Sequence, residues 1–329
     1  MLGSNRDMNR SIEPGDDVGA ESQGEGRLLA EAELALARCD FARAKACCDR
    51  VSKSSSQFPC VVRIGCTAAI GLGDVRYFDE IRNVVANFRN ECGKEPGGLA
   101  IADVMEGWIR QSLWRADVPE WICRFDMAAL PSEWRRPAAC LGVMACLHAD
   151  QFELAYAAAS LLMNAGTKLS ENAKGLMTID VELMMAKAVA CRETGCEAEM
   201  RQLLEAVIGR WASHGILMPY LLFMHGTRKS PVLDVLTDAA PREVIRFKRT
   251  RRAYFANLIR MRNHAFGEKI TSALSVREFY LTMLVKRGVS HKELSARFGV
   301  SLGRVKNIML YIYQKLGIHS RSELDGLVW

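Results

Sequence analysis

The chain lacks the short signatures that mark most nucleotide-dependent, metal-dependent and hydrolytic enzymes. There is no G-x-x-x-x-G-K-[ST] phosphate loop and no G-x-G-x-x-G after a strand, so no backbone cradle for phosphates is encoded. H-E-x-x-H and G-x-S-x-G are missing as well, which removes the usual zinc-protease and hydrolase arrangements. The eleven cysteines include no C-x-x-C pair, are odd in number and lie scattered. They argue against a disulfide framework and a zinc ribbon, and for a reducing cytosol. His148, His214 and His225 show no ligand spacing, so neither a metal nor another cofactor is expected. No apolar run approaches the roughly 18 residues of a membrane span. The longest is Gly215–Met224. Residues 1–26 have no apolar core of a signal peptide and read instead as a disordered, Gly-rich polar tail. These absences point to a cytoplasmic, soluble, non-enzymatic protein with no membrane partner.

Charge is present in ordinary amount but unevenly placed. Residues 1–240 carry 26 Lys+Arg against 32 Asp+Glu, a net of −6, whereas residues 241–329 carry 18 against 6, a net of +12. The overall +6 conceals an acidic body joined to a basic end, and the basic end is where a polyanion would bind.

From Arg27 to about residue 240 the chain is rich in Ala, Leu and Met, with apolar residues three and four apart, which predicts helix throughout. A punctuation recurs there: ALARCDFARA around Asp40, AIGLGDVRYF around Asp74, QSLWRADVPEW around Asp117 and ACLHADQFELA around Asp150. A weaker fifth copy has Gly195 in the Asp position. Successive copies lie 34, 43, 33 and 45 residues apart, a spacing suited to helical hairpins that bury their apolar stripes by stacking. The pattern resembles tetratricopeptide repeats, which implies an array with a concave surface for a protein, peptide or small-molecule effector. Trp108, Trp114, Trp121 and Trp134 cluster in the middle copy and are expected in the core.

Residues 241–270 form a basic connector with nine Lys+Arg and two Glu. Pro241 can open a helix whose apolar stripe holds Phe247, Tyr254, Phe255, Leu258, Ile259 and Met261. Two readings stay open for it: a solvated linker, or a helix that docks the terminal domain and adds phosphate contacts.

Residues 271–329 divide into four short helices. Ser275–Glu278, Ser290–Glu293 and Ser320–Glu323 each have capping-box spacing, and Gly288, Gly299 and Gly317 mark the stops. Ser301 differs, because the fourth position of its box is Arg304. A short helix, a Gly-containing turn and a longer helix over 302–316 describe a helix-turn-helix. The runs Leu274-Ser-Val-Arg277-Glu278, Gly288-Val-Ser290-His-Lys292-Glu293-Leu294 and Lys315-Leu316-Gly317-Ile318-x-Ser320-Arg321-x-Glu323-Leu324 resemble the DNA-binding domain of LuxR-type transcriptional regulators. The resemblance implies a four-helix domain that reads the major groove with its third helix and dimerises on DNA. Joined to a helical array, it is similar to maltose-activator-like regulators without their ATPase.

On helix 302–316, Val305, Ile308, Met309, Ile312 and Leu316 share one side and should pack inward. Gly303, Lys306, Asn307, Leu310, Tyr311 and Gln314 share the other, where a recognition helix meets base edges. Lys292, Ser301, Arg304 and Arg321 flank that face and are placed for phosphates. The expected partners are double-stranded DNA, a second copy of the chain, and RNA polymerase if the protein activates. The rival reading is a helical-repeat adaptor with a vestigial DNA-binding domain. All-α architecture is common to both.

Overall fold

A computed structural model of the protein describes residues 16–115, 117–149, 151–169, 177–222, 231–267, 274 and 276–326. Among these residues all regular structure is helical, with no strand. Five successive helix pairs come first: α1 (Asp16–Ala37) with α2 (Phe41–Cys48), α3 (Phe58–Leu72) with α4 (Val75–Glu91), α5 (Pro96–Ser112) with α6 (Glu120–Cys123), α7 (Ser132–His148) with α8 (Phe152–Leu169), and α9 (Met177–Glu193) with α10 (Glu197–Trp211). A 3-10 turn (Ala212–His214), α11 (Met218–Leu222) and α12 (Pro231–Ala239) lead into the long α13 (Pro241–Phe266). The terminal unit is α14 (Val276–Lys286), α15 (His291–Phe298), α16 (Leu302–Leu316) and α17 (Arg321–Gly326).

The recurring acidic residue is an N-cap. Asp40 accepts from the Arg43 N–H (3.2 Å) at the start of α2, and Asp74 from the Tyr77 N–H (3.0 Å) at the start of α4. Each satisfies a first-turn donor that the helix itself leaves free. In the fifth copy Gly195 turns the chain at φ +82°. Asp150 lies outside the described residues. The third copy departs from the others: beyond Asp117, Pro119 occupies the N-cap of a four-residue α6.

One expectation needs correction. α1 begins at Asp16, inside the segment read as a disordered tail, while residues 1–15 lie outside the described residues. Gly-rich composition hides this helix because its anchor is tertiary. The Glu25 carboxylate accepts from the Ser52 N–H (3.0 Å) and the Ser55 hydroxyl (2.5 Å), and helices in folded proteins draw most of their stability from such tertiary contacts.

The pairs curl until their end meets their beginning. The Leu217 N–H, just before α11, donates to the Ala37 carbonyl at the end of α1 (2.8 Å). Inside the curl, Arg63 of α3 pairs with Glu33 of α1 and with Glu182 of α9 (3.1 Å), all three side chains largely buried. Burial works against the Arg63 charge, but Glu182 and Glu33 more than offset it and hold the guanidinium firmly protonated. Burial also raises the Glu182 acid above the usual carboxylate range, with Arg63 opposing. Of the four tryptophans, Trp108 and Trp134 are buried together, and Trp121 donates from Nε1 to Asp103 (3.0 Å).

α13 lies across the C-terminal ends of α1, α3 and α5. Those ends turn in a similar way, through a left-handed residue one or two positions past the helix: Cys39 (φ 60°), Gly73 (φ 69°) and Trp114 (φ 60°). In each case the following N–H reaches back five residues, as in Asp40 to Ala35, Asp74 to Ala69 and Arg115 to Arg110. The remaining carbonyls face α13. Arg246 donates to the Arg38 carbonyl, Asn257 to Gly71 (3.0 Å), Arg260 to Gly73 (2.7 Å), and Arg262 to Leu113 (2.8 Å) and Trp114 (3.2 Å). A Cβ at Gly73 would collide with the Arg260 guanidinium, so close approach and positive φ both call for glycine. Phe247, Tyr254, Phe255, Leu258 and Met261 are buried in the core of the array. The connector is therefore packed structure, and three of its arginines cap helices.

The terminal unit docks on the same region. Ile259 of α13 belongs to the terminal core with Phe279, Leu284, Leu294, Phe298, Val305, Met309 and Ile312. Trp114 packs against both cores, edge-on to Phe255 (4.9 Å) and Tyr280 (6.4 Å). Arg262, 2% exposed, sits over the Phe279 ring (5.3 Å). Arg297 of α15 pairs with Glu193 at the end of α9 (3.1 Å). Burial first, then Arg287 and Arg262, depress the pKa of His148 to about 3.

Two outcomes follow. Arg262→Met leaves buried terminal carbonyls of α5 unpaired, and urea unfolding should show a loss of about 3 kcal/mol. Neutral His148 refuses a proton that the unfolded chain accepts near pH 6.5, so it lowers stability as pH falls below that value toward 3. Compared with the parent, His148→Leu should flatten the stability-versus-pH curve by about 2 kcal/mol between pH 7 and 5. Parallel curves would show that His148 takes up its proton in the fold.

Candidate nucleic-acid interface

The terminal unit is built from local signals. Ser290 Oγ accepts the Glu293 N–H (3.2 Å) while Glu293 accepts the Ser290 N–H (2.6 Å), completing the expected capping box at α15. At α17 the Ser320 Oγ accepts the Glu323 N–H (3.4 Å), but the Glu323 carboxylate reaches the Ser320 hydroxyl (2.8 Å) and the His319 N–H (3.3 Å). Its return bond thus lands one residue earlier than a capping box requires. Ser275 lies outside the described residues. α15 stops at Gly299 (φ 59°), and Ser301 opens α16 three residues beyond Phe298.

Ser301 is a working N-cap without its carboxylate. Its Oγ accepts the Arg304 N–H (3.3 Å), and no acidic residue occupies the first turn of α16. The positive end of the helix is therefore left open to an outside anion. Elsewhere in the unit the glutamates are engaged: Glu278 with Lys315 (2.8 Å), and Glu293 and Glu323 with their own first turns. Hydrogen bonds from Ser290 hold Glu293 below the usual carboxylate range, and those from Ser320 and His319 do the same for Glu323.

α16 has two distinct sides. Val305, Met309 and Ile312 are buried in the terminal core, with Ile308 and Leu316 half-buried beside them. Gly303, Lys306, Asn307, Leu310, Tyr311 and Gln314 are all exposed and form a strip along the opposite side. Docking on the array leaves that strip uncovered, because the unit contacts the array through α14 and α15. Leu302, Leu310 and Tyr311 expose 40%, 56% and 63% of their surface, an apolar share unusual for the solvated side of a helix.

Lys292, Ser301, Arg304 and Arg321 are likewise exposed. Arg321 and Lys306 both approach His291, whose pKa is lowered by burial and by these two cations. Helix N-terminus and cations thus border one end of the strip, and the neutral side chains Asn307, Leu310, Tyr311 and Gln314 continue it toward the C-terminus. What sequence reading missed is the docking set, Trp114, Arg262, Glu193 and Arg297, whose partners lie far away in the chain.

Comparison with family models, with curated proteins and with solved structures finds no match for this chain.

Ser301→Ala should remove the cap bond and cost about 1 kcal/mol in denaturant unfolding. A loss confined to the noise of the measurement would mean that solvent or a neighbouring group caps α16 instead.

Proposed function

We propose that the protein is a DNA-binding regulator of transcription that reads the major groove with α16. The observation that carries this reading is the two-sided character of that helix. One side is locked into the terminal core, and the other is an exposed strip with cations and an uncompensated N-terminus at its head. Lys306 matches guanine or phosphate, Asn307 can pair bidentately with adenine, and Leu310 can meet a thymine methyl. Gly303, Tyr311 and Gln314 share the base-facing strip, while Lys292, Ser301, Arg304 and Arg321 fix the register through phosphates.

The resemblance of residues 274–324 to LuxR-type domains supports the same conclusion. By that analogy the chain acts in the cytoplasm as a dimer, and as an activator it would also touch RNA polymerase. The tetratricopeptide-like array is the part that receives a signal. Its end meets α14 and α15 rather than α16, so a change in the array would reach the reading helix through the helices that hold it. The adaptor reading gains nothing from an exposed face headed by cations, and we set it second.

Binding of the full chain to random and selected DNA should weaken steeply with salt. Three cationic phosphate contacts, from Lys292, Arg304 and Arg321, give a slope of about −2.7 in log K against log salt. Arg304→Ala should weaken all sequences alike and reduce the slope by about 1, whereas Asn307→Ala should relax preference at one base position by about 1–3 kcal/mol. Absence of DNA binding at low salt would overturn the function proposed here.

A further inference from the structure

α13 carries more positive charge than its packing uses. Arg246, Arg260 and Arg262 cap the ends of α1, α3 and α5, and Arg251 lies over the Phe255 ring (5.8 Å). Arg242, Lys248, Arg249 and Arg252 remain. All four are exposed, and among the described residues none of them has a carboxylate or carbonyl partner. Glu243, the only acidic residue of the helix, is paired with Arg246 (2.9 Å). At about 100° per residue the four cations share an arc of about 140° with Ile245, over a rise of about 15 Å. Ile245 is 79% exposed. Two turns beyond Arg252, on the same side of the helix, Ile259 enters the terminal core. The basic strip therefore runs up to the edge of the terminal unit.

We propose that this strip is a second phosphate-binding surface, one that holds the backbone of double-stranded DNA without reading its sequence. Its composition decides between partners. Protein surfaces intersperse both signs of charge, and lysine is depleted where proteins meet. Here cations alone are offered, with Ile245 as the one large apolar side chain on the arc. A basic helix at a membrane inserts its apolar face. The apolar face of α13, with Phe247, Tyr254, Phe255 and Leu258, is instead buried in the array core. Duplex DNA carries one negative charge per about 1.7 Å of its axis, a uniform target for cations held on a fixed helix. Capping bonds and core packing already hold the α13 backbone, so little order has to be gained on binding.

The strip and α16 have different tasks. With the array packed along its other side, α13 is too broad to enter a major groove about 12 Å wide, so its contacts are with phosphates and not with base edges. The choice of DNA as the polyanion rests on the DNA-binding reading above. The added salt dependence belongs to the strip alone and separates the two.

The test measures binding of the full chain to random duplex DNA and to a duplex selected from a random pool, each against salt. Every cation that meets a phosphate adds about 0.9 to the slope, so the strip should bring it to about −6 from the roughly −2.7 of the terminal unit alone. Lys248→Ala/Arg249→Ala/Arg252→Ala should make the slope shallower by about 2.7, weaken both duplexes alike and leave Tm unchanged. The charge-keeping Lys248→Arg/Arg249→Lys/Arg252→Lys should retain the parent slope. If the triple-alanine chain does not fold, Arg242→Ala and Arg249→Ala singly carry the same test, each lowering the slope by about 0.9. Alanine variants that fold and keep the parent slope overturn the assignment. So does a parent chain that prefers phosphatidylglycerol vesicles or polyglutamate to random DNA at equal salt, since the strip would then serve a membrane or an acidic protein. If the parent shows no sequence preference yet loses slope with the triple-alanine change, reading by α16 fails and the strip stands. A preference that persists with an unchanged slope sinks the strip and spares α16, and absence of DNA binding at low salt sinks both.

Discussion

The interaction on which this architecture depends is the set of hydrogen bonds from α13 to the ends of α1, α3 and α5. A helix leaves its last carbonyls without partners and concentrates negative potential there. Three such ends, from three different helix pairs, point at one helix, and that helix answers with Arg246, Asn257, Arg260 and Arg262. Stacked hairpins fix only nearest neighbours. A helix that crosses three of them fixes their relative positions as a group. The curl of the array, and with it the meeting of Arg63, Glu33 and Glu182, is held in register by that crossing.

The same helix organises the terminal unit. Ile259 contributes to the terminal core while its neighbours Leu258 and Met261 stay in the array core. Trp114 occupies the seam, held in a left-handed conformation that bulky residues adopt only when the surroundings demand it. The demand here is double: the turn ends α5, and the indole must fill the gap between two cores. Because the docking uses α14 and α15, the apolar and amide side chains of α16 stay in solvent, although Leu310 and Tyr311 would be buried in most settings.

Much of this was legible in the residues and some was not, for reasons that separate local from distant physics. Asp40 and Asp74 act within three residues of themselves, so their capping role is written beside them. The same holds for Ser290 with Glu293, and for the periodicity that divides α16 into a buried and an exposed side. The connector was harder. Its apolar stripe was readable at helical spacing, but the destination of its cations was not, since the carbonyl that Arg262 meets lies 149 residues earlier. Charge density alone cannot tell an arginine that awaits a phosphate from one that finishes another helix. α1 was misjudged at its start for a related reason: Glu25 finds its partners at Ser52 and Ser55, and nothing within the polar segment announces them. The Arg297–Glu193 pair and the seam position of Trp114 likewise leave no trace in a window of neighbouring residues.

The seam along α13 also determines how divisible the molecule is. A boundary is clean when the chain can be cut there without stripping either side of apolar cover. Here the helix that would serve as the joint gives Phe247, Tyr254 and Phe255 to one body and Ile259 to the other, one turn apart. A cut before it uncaps three helices of the array, and a cut after it opens the terminal core. The two bodies are thus a single piece of construction, and exchange of the terminal unit between proteins of this design would have to carry α13 and the helix ends it serves along with it.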